Sequence, residues 1–371
     1  MYFHIIMTER CNSECRYCYK KSLNEFDNEL EKKFEFDFSA PCNFNVNIKK
    51  LKRFLERDKS PKVIFYGGEP LLESKKVMEI IDALENVNEF CIQTNGKLLD
   101  QIPENYLKKF SKILISFDGN EERTDFNRGK GTYKLLMNNL QKIRKKTNAE
   151  IVARMTLSFP DIFEQTNHLI KLIEQNLINS IHWQIDAGFY KNDFTEDFET
   201  FVQIYNEQLS KLIDFWIDYM KKNKKVLKLY PLLGIFESLY YDKKTKLRCG
   251  SGYANYTITT NGNITACPIM NSIKNFYVGN LDSNPNNLKK IYVEGNCFKC
   301  NYLDLCGGRC LYANKAQLWP DEGQKLICET IIHLIEELRK KIPEIRNLID
   351  KKIVNEKDFE YEKYFGPEII P

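Results

Sequence analysis

Hydrophobic positions in the first half of the chain fall into short runs separated by helical patterns. Strand-like apolar runs occupy residues 2–7, 63–66, 89–93, 113–117, 150–157 and 181–185, lengths that suit buried strands. Between them Val77, Ile80, Ile81 and Leu84 follow the i, i+3, i+4, i+7 spacing of a helix with one apolar face. Phe163, Leu169, Ile170 and Ile173 continue the theme between the fifth and sixth runs. Six βα units in a row predict parallel strands with helices outside. A partial (β/α)6 barrel and an open doubly wound sheet both satisfy this α/β periodicity. Residues 194–222 predict a long amphipathic helix with Phe198, Phe201, Val202, Tyr205, Leu209, Leu212 and Trp216 on its apolar face. From about residue 245 the helical periodicity fades. Residues 257–265 read as a β-hairpin turning at Asn261-Gly262. A last helix is expected over residues 327–341, followed by a tail rich in Tyr, Phe and Glu that runs to Pro371.

Length and charge narrow the class. The 371 residues have room for one large domain and a smaller one, and 43% apolar with 29% charged residues fits a globular protein. No apolar stretch approaches the roughly 18–20 residues of a membrane span. His4, Glu9 and two cysteines among the first 15 residues do not read as a signal peptide. A cytoplasmic protein without membrane association is expected. The net charge of +4, from 55 basic and 51 acidic residues, makes no case for nucleic acid. The lysine runs at 144–146 and 221–225 read as solvated helix ends. Twelve cysteines are harder to dismiss. A reducing cytosol disfavours disulfides, so metal sites are the better account. Ten of the twelve fall into two groups, and only Cys42 and Cys91 stand apart.

The first group, Cys11-x3-Cys15-x2-Cys18, follows the first strand directly. Three thiolates on one short loop can hold three corners of a cubane iron–sulfur cluster. One iron is then left without a protein ligand, as required if it is to bind a substrate or cofactor. Polar motifs recur at the C-terminal ends of the other strands, where barrel-like α/β folds build their sites. Tyr66-Gly67-Gly68-Glu69-Pro70 ends the second; its glycines allow backbone to approach a ligand, and Glu69 can accept from an ammonium. Thr94-Asn95-Gly96 ends the third, with Gly96 placed for a left-handed turn. Ser116-Phe117-Asp118-Gly119 ends the fourth, followed by Arg128, whose fork suits a carboxylate, and by Gly129-Lys130-Gly131-Thr132-Tyr133. Arg154 lies on the fifth strand, and Gln184 and Asp186 on the sixth. These line a substrate side or reach the interior face through strand alternation alone. His4, His168, His182 and His333 show no clustered spacing and read as structural. Cys91 reads as a small core residue and Cys42, after Pro41, as a loop residue.

The loop Cys11 to Cys18, with Tyr17 before the third cysteine, resembles the signature of the radical S-adenosylmethionine (SAM) superfamily, and the strand-end motifs are similar to those of that family. The resemblance implies a partial (β/α)6 barrel over residues 1–235 and a [4Fe–4S] cluster on Cys11, Cys15 and Cys18. Its open iron would chelate the amino and carboxylate groups of S-adenosylmethionine. Tyr17, Gly67, Gly68, Asn95, Arg154 and Gln184 would line the cofactor site. Glu69 would contact the methionine amino group, Ser116 the ribose and Arg128 the carboxylate. A reductant such as flavodoxin or ferredoxin would supply one electron. The sulfonium would then cleave to methionine and a 5′-deoxyadenosyl radical, which takes a hydrogen atom from substrate, with Asp186 as a catalytic residue.

The second group reads Cys249-x12-Gly262-x4-Cys267, Cys297-x2-Cys300-x5-Cys306-x3-Cys310 and Cys328. This spacing resembles the SPASM domain of radical enzymes that modify peptides and proteins, here over residues 236–330, with a helix and tail at 331–371. The resemblance implies two auxiliary [4Fe–4S] clusters, three in all. Cys297, Cys300, Cys306 and Cys328 would fully ligate the outer one. Cys249, Cys267 and Cys310 would hold the inner one, leaving an iron for a peptide thiolate, a non-cysteine residue or water. Such interleaving implies that loss of one cysteine unfolds as well as inactivates the module. Similar sulfatase-maturating enzymes carry an aspartate where this chain has Pro268, which counts against that activity. With strand one so near the start, no room for an N-terminal peptide-recognition domain is expected. The barrel rim, the tail or a separate leader-binding protein would hold a leader. The expected reaction is oxidative: a thioether or carbon–carbon cross-link, with cross-linking favoured, or oxidation at Cα or Cβ of a peptide or protein substrate. A radical enzyme acting on a small metabolite is the alternative. A non-catalytic iron–sulfur or zinc scaffold is a further one, against which Glu69, Ser116 and Arg128 argue, since a scaffold needs no cofactor pocket.

Overall fold

The computed structural model describes residues 1–19, 28–189, 194–195 and 197–366; the end of the tail, with Pro371, lies outside the described residues. The six expected strands form as β1 (Tyr2–Thr8), β2 (Lys62–Gly67), β3 (Glu89–Thr94), β4 (Phe110–Ser116), β5 (Glu150–Leu157) and β6 (Ser180–Ile185). The two-residue β7 (Lys228–Leu229), β8 (Asn255–Ile258), β9 (Asn263–Thr265) and β10 (Tyr277–Asn280) follow. Packing divides the chain into two compact units. One comprises Met1–Phe117, Glu121–Ala153 and Gly250–Tyr292; the other comprises Asp118–Asn120, Arg154–Cys249 and the chain from Val293 onward.

In the first unit the strand order is β10-β9-β8-β1-β2-β3-β4-β5. Strand β1 pairs in parallel with β2 on one side and with β8 on the other, and all seven of its residues are buried. A strand flanked and covered on both faces requires a nearly continuous apolar run, which Tyr2-Phe3-His4-Ile5-Ile6-Met7 supplies. His4 is accommodated because its Nδ1 lies 2.8 Å from Asn255 Oδ1. The hairpin β8–β9 forms with Thr257 opposite Thr265. Its loop spans four residues rather than two, closed by Thr259 N donating to Asn263 O at 2.9 Å, and Gly262 takes the positive φ of 89°. Helices α1 (Asn28–Lys33), α2 (Ile48–Leu55), α3 (Ser74–Ala83), α4 (Glu104–Leu107), α5 (Glu121–Arg128) and α6 (Thr132–Arg144) belong to this unit. Asn47 caps α2 by accepting from Lys49 N and Lys50 N. The predicted stripe of α3 is buried at Val77, Ile80 and Ile81, with Leu84 just past its end.

The second unit holds the end of β5, then β6 and β7, with helices α7 (Ile162–Glu174), α8 (Phe198–Asn223), α9 (Tyr230–Tyr240), α10 (Leu303–Cys306), α11 (Leu311–Ala316) and α12 (Asp321–Asp350). The long amphipathic helix starts at Phe198, not at 194, and buries Phe198, Val202, Tyr205, Leu209, Leu212 and Trp216. The last helix differs more from expectation. It runs over 30 residues, straight through Pro343, which is exposed, while Ile342, Ile345 and Leu348 keep the stripe buried. Proline removes one backbone hydrogen bond, and continued burial of the stripe offsets that loss. Helices α8 and α12 pack together, tied by Lys221 to Glu344 at 2.7 Å and Lys341 to Asp214 at 2.6 Å. Among the described residues no helix is long and apolar enough to cross a membrane.

Candidate active site

Two loops at the C-terminal ends of β1 and β2 are locked backbone to backbone. Gly68 N donates to Thr8 O and Glu69 N to Arg10 O, both at 2.8 Å. A Cβ on Gly67 would stand 2.3 Å from Thr8 O, and one on Gly68 2.2 Å from Arg10 O. Glycine is needed there for closeness, and the consequence is that Glu69 is anchored next to the loop carrying Cys11. The Glu69 carboxylate is fully buried. It accepts from Thr94 Oγ1 at 2.7 Å, Asn95 N at 2.7 Å and Leu71 N at 3.0 Å. Burial lifts its pKa above the ordinary glutamate range, against the lowering effect of those three donors. Gly96 takes the left-handed φ of 78° expected of it, and Asn139 Nδ2 fixes that turn by donating to Gly96 O and Lys97 O.

The side chain of Asn95 reaches the cysteine loop. Its Nδ2 lies 2.6 Å from Asn12 Oδ1, 3.2 Å from Ser13 Oγ and 3.8 Å from Cys11 Sγ. Arg128, at the end of α5, reaches the middle cysteine of the loop. Its Nη1 is 3.8 Å from Cys15 Sγ, and its guanidinium lies 5.2 Å from the centre of the Tyr17 ring. Backbone joins the same two segments, Arg16 N donating to Asn127 O at 2.9 Å. Asp125 holds the glycine loop after Arg128, accepting from Gly131 N at 2.6 Å and Tyr133 N at 2.8 Å; motif spacing had not singled it out. The cysteine triad, Tyr17, Gly67, Gly68, Glu69, Asn95 and Arg128 therefore meet within the first unit. Ser116 is half-buried at the end of β4 in the same unit.

In the second unit Arg154 Nη2 donates to Gln184 Oε1 at 3.2 Å, tying β5 to β6, and Asp186, just past the end of β6, donates through its backbone N to Leu157 O at 2.9 Å. The cysteines Cys297, Cys300, Cys306 and Cys328 also belong to this unit. Desolvation pushes the Cys328 thiol up to about 11, although the residue as a whole keeps solvent exposure, and the charges of Cys306, Cys297 and Cys300 add to the effect. Burial and the same neighbours raise Cys297, whose sulfur lies 3.5 Å from Asn314 Nδ2. Gly307 lets the Cys306 turn approach Lys246 O, where a Cβ would come within 2.0 Å. Arg248, unmarked in the sequence, clamps that turn through Leu305 O, Gly234 O and Ser238 Oγ. Cys249 and Cys310 are buried in this unit, while Cys267 is buried in the first. The bland readings hold for Cys91, buried with Sγ 3.4 Å from Ser111 Oγ, and for Cys42, an exposed loop residue.

The Radical SAM superfamily model matches residues 5–173. The chain carries a radical SAM domain. Over 368 residues it is 25% identical to the radical SAM cyclopropyl synthase TigE of Paramaledivibacter caminithermalis, covering 91% of this chain and 74% of that protein. It is 22% identical to a cysteine-type anaerobic sulfatase-maturating enzyme of Clostridium perfringens, covering 91% and 96%. The fold is shared with native anSMEcpe with bound AdoMet, at TM-score 0.69 and 18% identity over 94% of this chain and 99% of that one. It is also shared with Streptococcus suis SuiB bound to precursor peptide SuiA, at TM-score 0.53 and 18% identity over 84% and 72%. The chain is a radical SAM enzyme.

A radical SAM domain uses a [4Fe–4S] cluster and S-adenosylmethionine, and the donor set of the first unit fits both. Cys11, Cys15 and Cys18 form no disulfide, Glu69 is anchored by backbone to the segment leading into Cys11, and the Arg128 guanidinium reaches Cys15. Among the described residues no three His, Cys, Asp or Glu side chains converge on a single-ion position.

Proposed function

We propose that the enzyme abstracts a hydrogen atom from a peptide or protein substrate and modifies it oxidatively, by a thioether or carbon–carbon cross-link or by oxidation at Cα or Cβ. The feature carrying this reading is the second cysteine group, with Cys297, Cys300, Cys306 and Cys328 all in the second unit, beyond the segment matched by the radical SAM model. Such a set equips a radical enzyme with a second electron carrier, which an oxidative outcome needs and a redox-neutral one does not. Relatives support a peptide as substrate: SuiB binds a precursor peptide, and anSMEcpe a Cp18Cys peptide.

When bound, the cofactor and cluster supply a carbon-centred radical. The residues of the chain bind and orient. Glu69 would receive the cofactor ammonium, Arg128 its carboxylate, which a guanidinium fork suits, and Ser116 the ribose. Gly67 and Gly68 provide backbone at close range, and Tyr17 braces Arg128. Arg154 and Gln184 hold one another across β5 and β6, and Asp186 lies two residues past Gln184. Two auxiliary clusters are proposed: the four-cysteine set, and a three-cysteine set on Cys249, Cys267 and Cys310. The division into a radical SAM part (1–235), a SPASM part (236–330) and a tail (331–371) is proposed on the same grounds, as are cytoplasmic location, a flavodoxin or ferredoxin donor and a separate leader-binding protein. Pro268 argues against sulfatase maturation.

Anaerobic reconstitution tests the reading. About twelve irons per chain, falling to about four in Cys328→Ser as the interleaved module unfolds, are expected, with reductive formation of 5′-deoxyadenosine accelerated by a peptide encoded beside the gene. Acceleration by a metabolite and by no peptide would move the assignment to small-molecule chemistry. Zinc in place of iron would reject it.

A further inference from the structure

Arg309, between Gly307-Gly308 and Cys310, is held in an unusual state. Only 9% of its surface is exposed, and its φ is +53°, after +76° at Gly307 and +93° at Gly308. Left-handed backbone is unfavourable for a residue with a Cβ, and burial is unfavourable for a cation. Both costs fall on one residue, which is the mark of a functional constraint. Its hydrogen bonding is incomplete as well. Nη2 reaches Ile185 O at 3.5 Å and Ala187 O at 3.3 Å, long contacts at the end of β6. Nε and Nη1 are buried with no partner. Its neighbours along the chain are two proposed cluster ligands, Cys310 directly after it and Cys306 three residues before it. Thiols bound to iron are deprotonated, so metal loading converts these neutral neighbours into the anions that the guanidinium lacks.

We infer that Arg309 is the buried counter-cation of the auxiliary iron–sulfur clusters, with Nε and Nη1 reserved for thiolate or sulfide sulfur, and that it raises their reduction potential. The inference rests on the reading that these cysteines hold clusters. Net charge and hydrogen bonds to sulfur are what set a cluster's potential. Reduction adds one electron to a group that is already anionic, and a fixed cation in a dry site favours the reduced form. Cys310 belongs to the three-cysteine set, and Cys306 and Cys328 to the four-cysteine set. One arginine thus acts on ligands of both, and the loop Cys306-Gly307-Gly308-Arg309-Cys310 is the covalent link between them. Arg309 is a positioning and tuning residue, not one that touches substrate.

The test is a potentiometric titration of the full-length, anaerobically reconstituted protein, with dithionite supplying the electron and paramagnetic resonance reading each cluster. Wild type, Arg309→Met and Arg309→Lys are compared at equal iron content. Addition of S-adenosylmethionine marks the signal belonging to Cys11, Cys15 and Cys18, which should titrate alike in all three. At fixed potential the reduced-to-oxidised ratio of an auxiliary cluster should fall at least tenfold in Arg309→Met, 59 mV for a one-electron couple. It should fall less in Arg309→Lys, which keeps the charge but not the fork. An Arg309→Met protein with wild-type iron and wild-type potentials overturns the inference. So does equal loss of iron from both variants, which would make the residue a loop strut. A wild type that holds only about four irons removes the cluster reading itself, a different failure.

Discussion

Replacing Gly68 by alanine separates closeness from conformation as the reason for glycine in the Gly67-Gly68-Glu69 turn. The φ of Gly68 is not positive, so alanine meets no backbone penalty there. The added Cβ would lie 2.2 Å from Arg10 O, 2.6 Å from Arg10 C and 2.8 Å from Glu9 O. All three are backbone atoms of the segment leading into Cys11, and none can swing away. Ordinary contact requires the two loops to part by about 1 Å, which stretches or breaks the Gly68–Thr8 and Glu69–Arg10 hydrogen bonds. Two such bonds are worth about 1 kcal/mol each, and overpacking adds about 1–3 kcal/mol. A loss of about 3–5 kcal/mol follows. Gly131→Ala is the control. Gly131 has φ +82° and nothing within 4 Å of its would-be Cβ, so its cost is conformational alone, about 1–2 kcal/mol. Anaerobic urea unfolding of the unloaded proteins measures both. In the loaded enzyme, a 1 Å shift between the cysteine loop and Glu69 should lower 5′-deoxyadenosine formation on the order of 100-fold. If Gly68→Ala is destabilised no more than Gly131→Ala, the two loops are not held as argued.

Three further outcomes follow from the same geometry. Because burial holds the Glu69 pKa above its unfolded value, the folded protein keeps a proton that the unfolded chain releases; stability without cofactor therefore falls as pH rises from the ordinary glutamate range through the raised pKa. Cofactor affinity has the opposite sign, weakening as pH falls through that pKa and the carboxylate is lost. Urea titrations and calorimetry from pH 5 to 8 check both, and Glu69→Gln should abolish both dependences. Arg128→Lys keeps the charge but loses the fork and the contact with the Tyr17 ring, so S-adenosylmethionine binding should weaken about 10–100-fold, read by calorimetry, with iron content unchanged. Pro343→Ala should stabilise the second unit by about 1–3 kcal/mol, since Pro343 is an exposed interruption of α12; an unchanged urea midpoint would mean that the helix is already fully accommodated to the ring.

Strands β1 to β6 were legible because each is a run of apolar residues whose type is decided within a few positions. The cysteine loop, the Gly-Gly-Glu turn and Arg128 were legible because cofactor chemistry demands particular residues at particular strand ends. Asp125, Asn139 and Arg248 were not, since a polar side chain that braces a loop carries no local signature. The true length of α12 was hidden by Pro343, which local rules read as a stop and which a buried stripe on both sides carries through. The partner of the Asn261-Gly262 hairpin was hidden too. Its strand β8 pairs with β1, some 250 positions away, and that choice rests on which buried edge is free.

The sequence by itself therefore determined the alternation of strands and helices, the spacing of two cysteine groups and the superfamily to which the first belongs, because each of these is a short-range pattern. Only the tertiary structure decided that β1 lies between β2 and β8, that Glu69 is stripped of water beside the Cys11 loop, and that Arg309 is enclosed with two donors unspent. Burial is the physical reason. Desolvation turns an ordinary glutamate into a raised one and an ordinary arginine into an uncompensated charge, and burial depends on neighbours that the chain brings together only by folding.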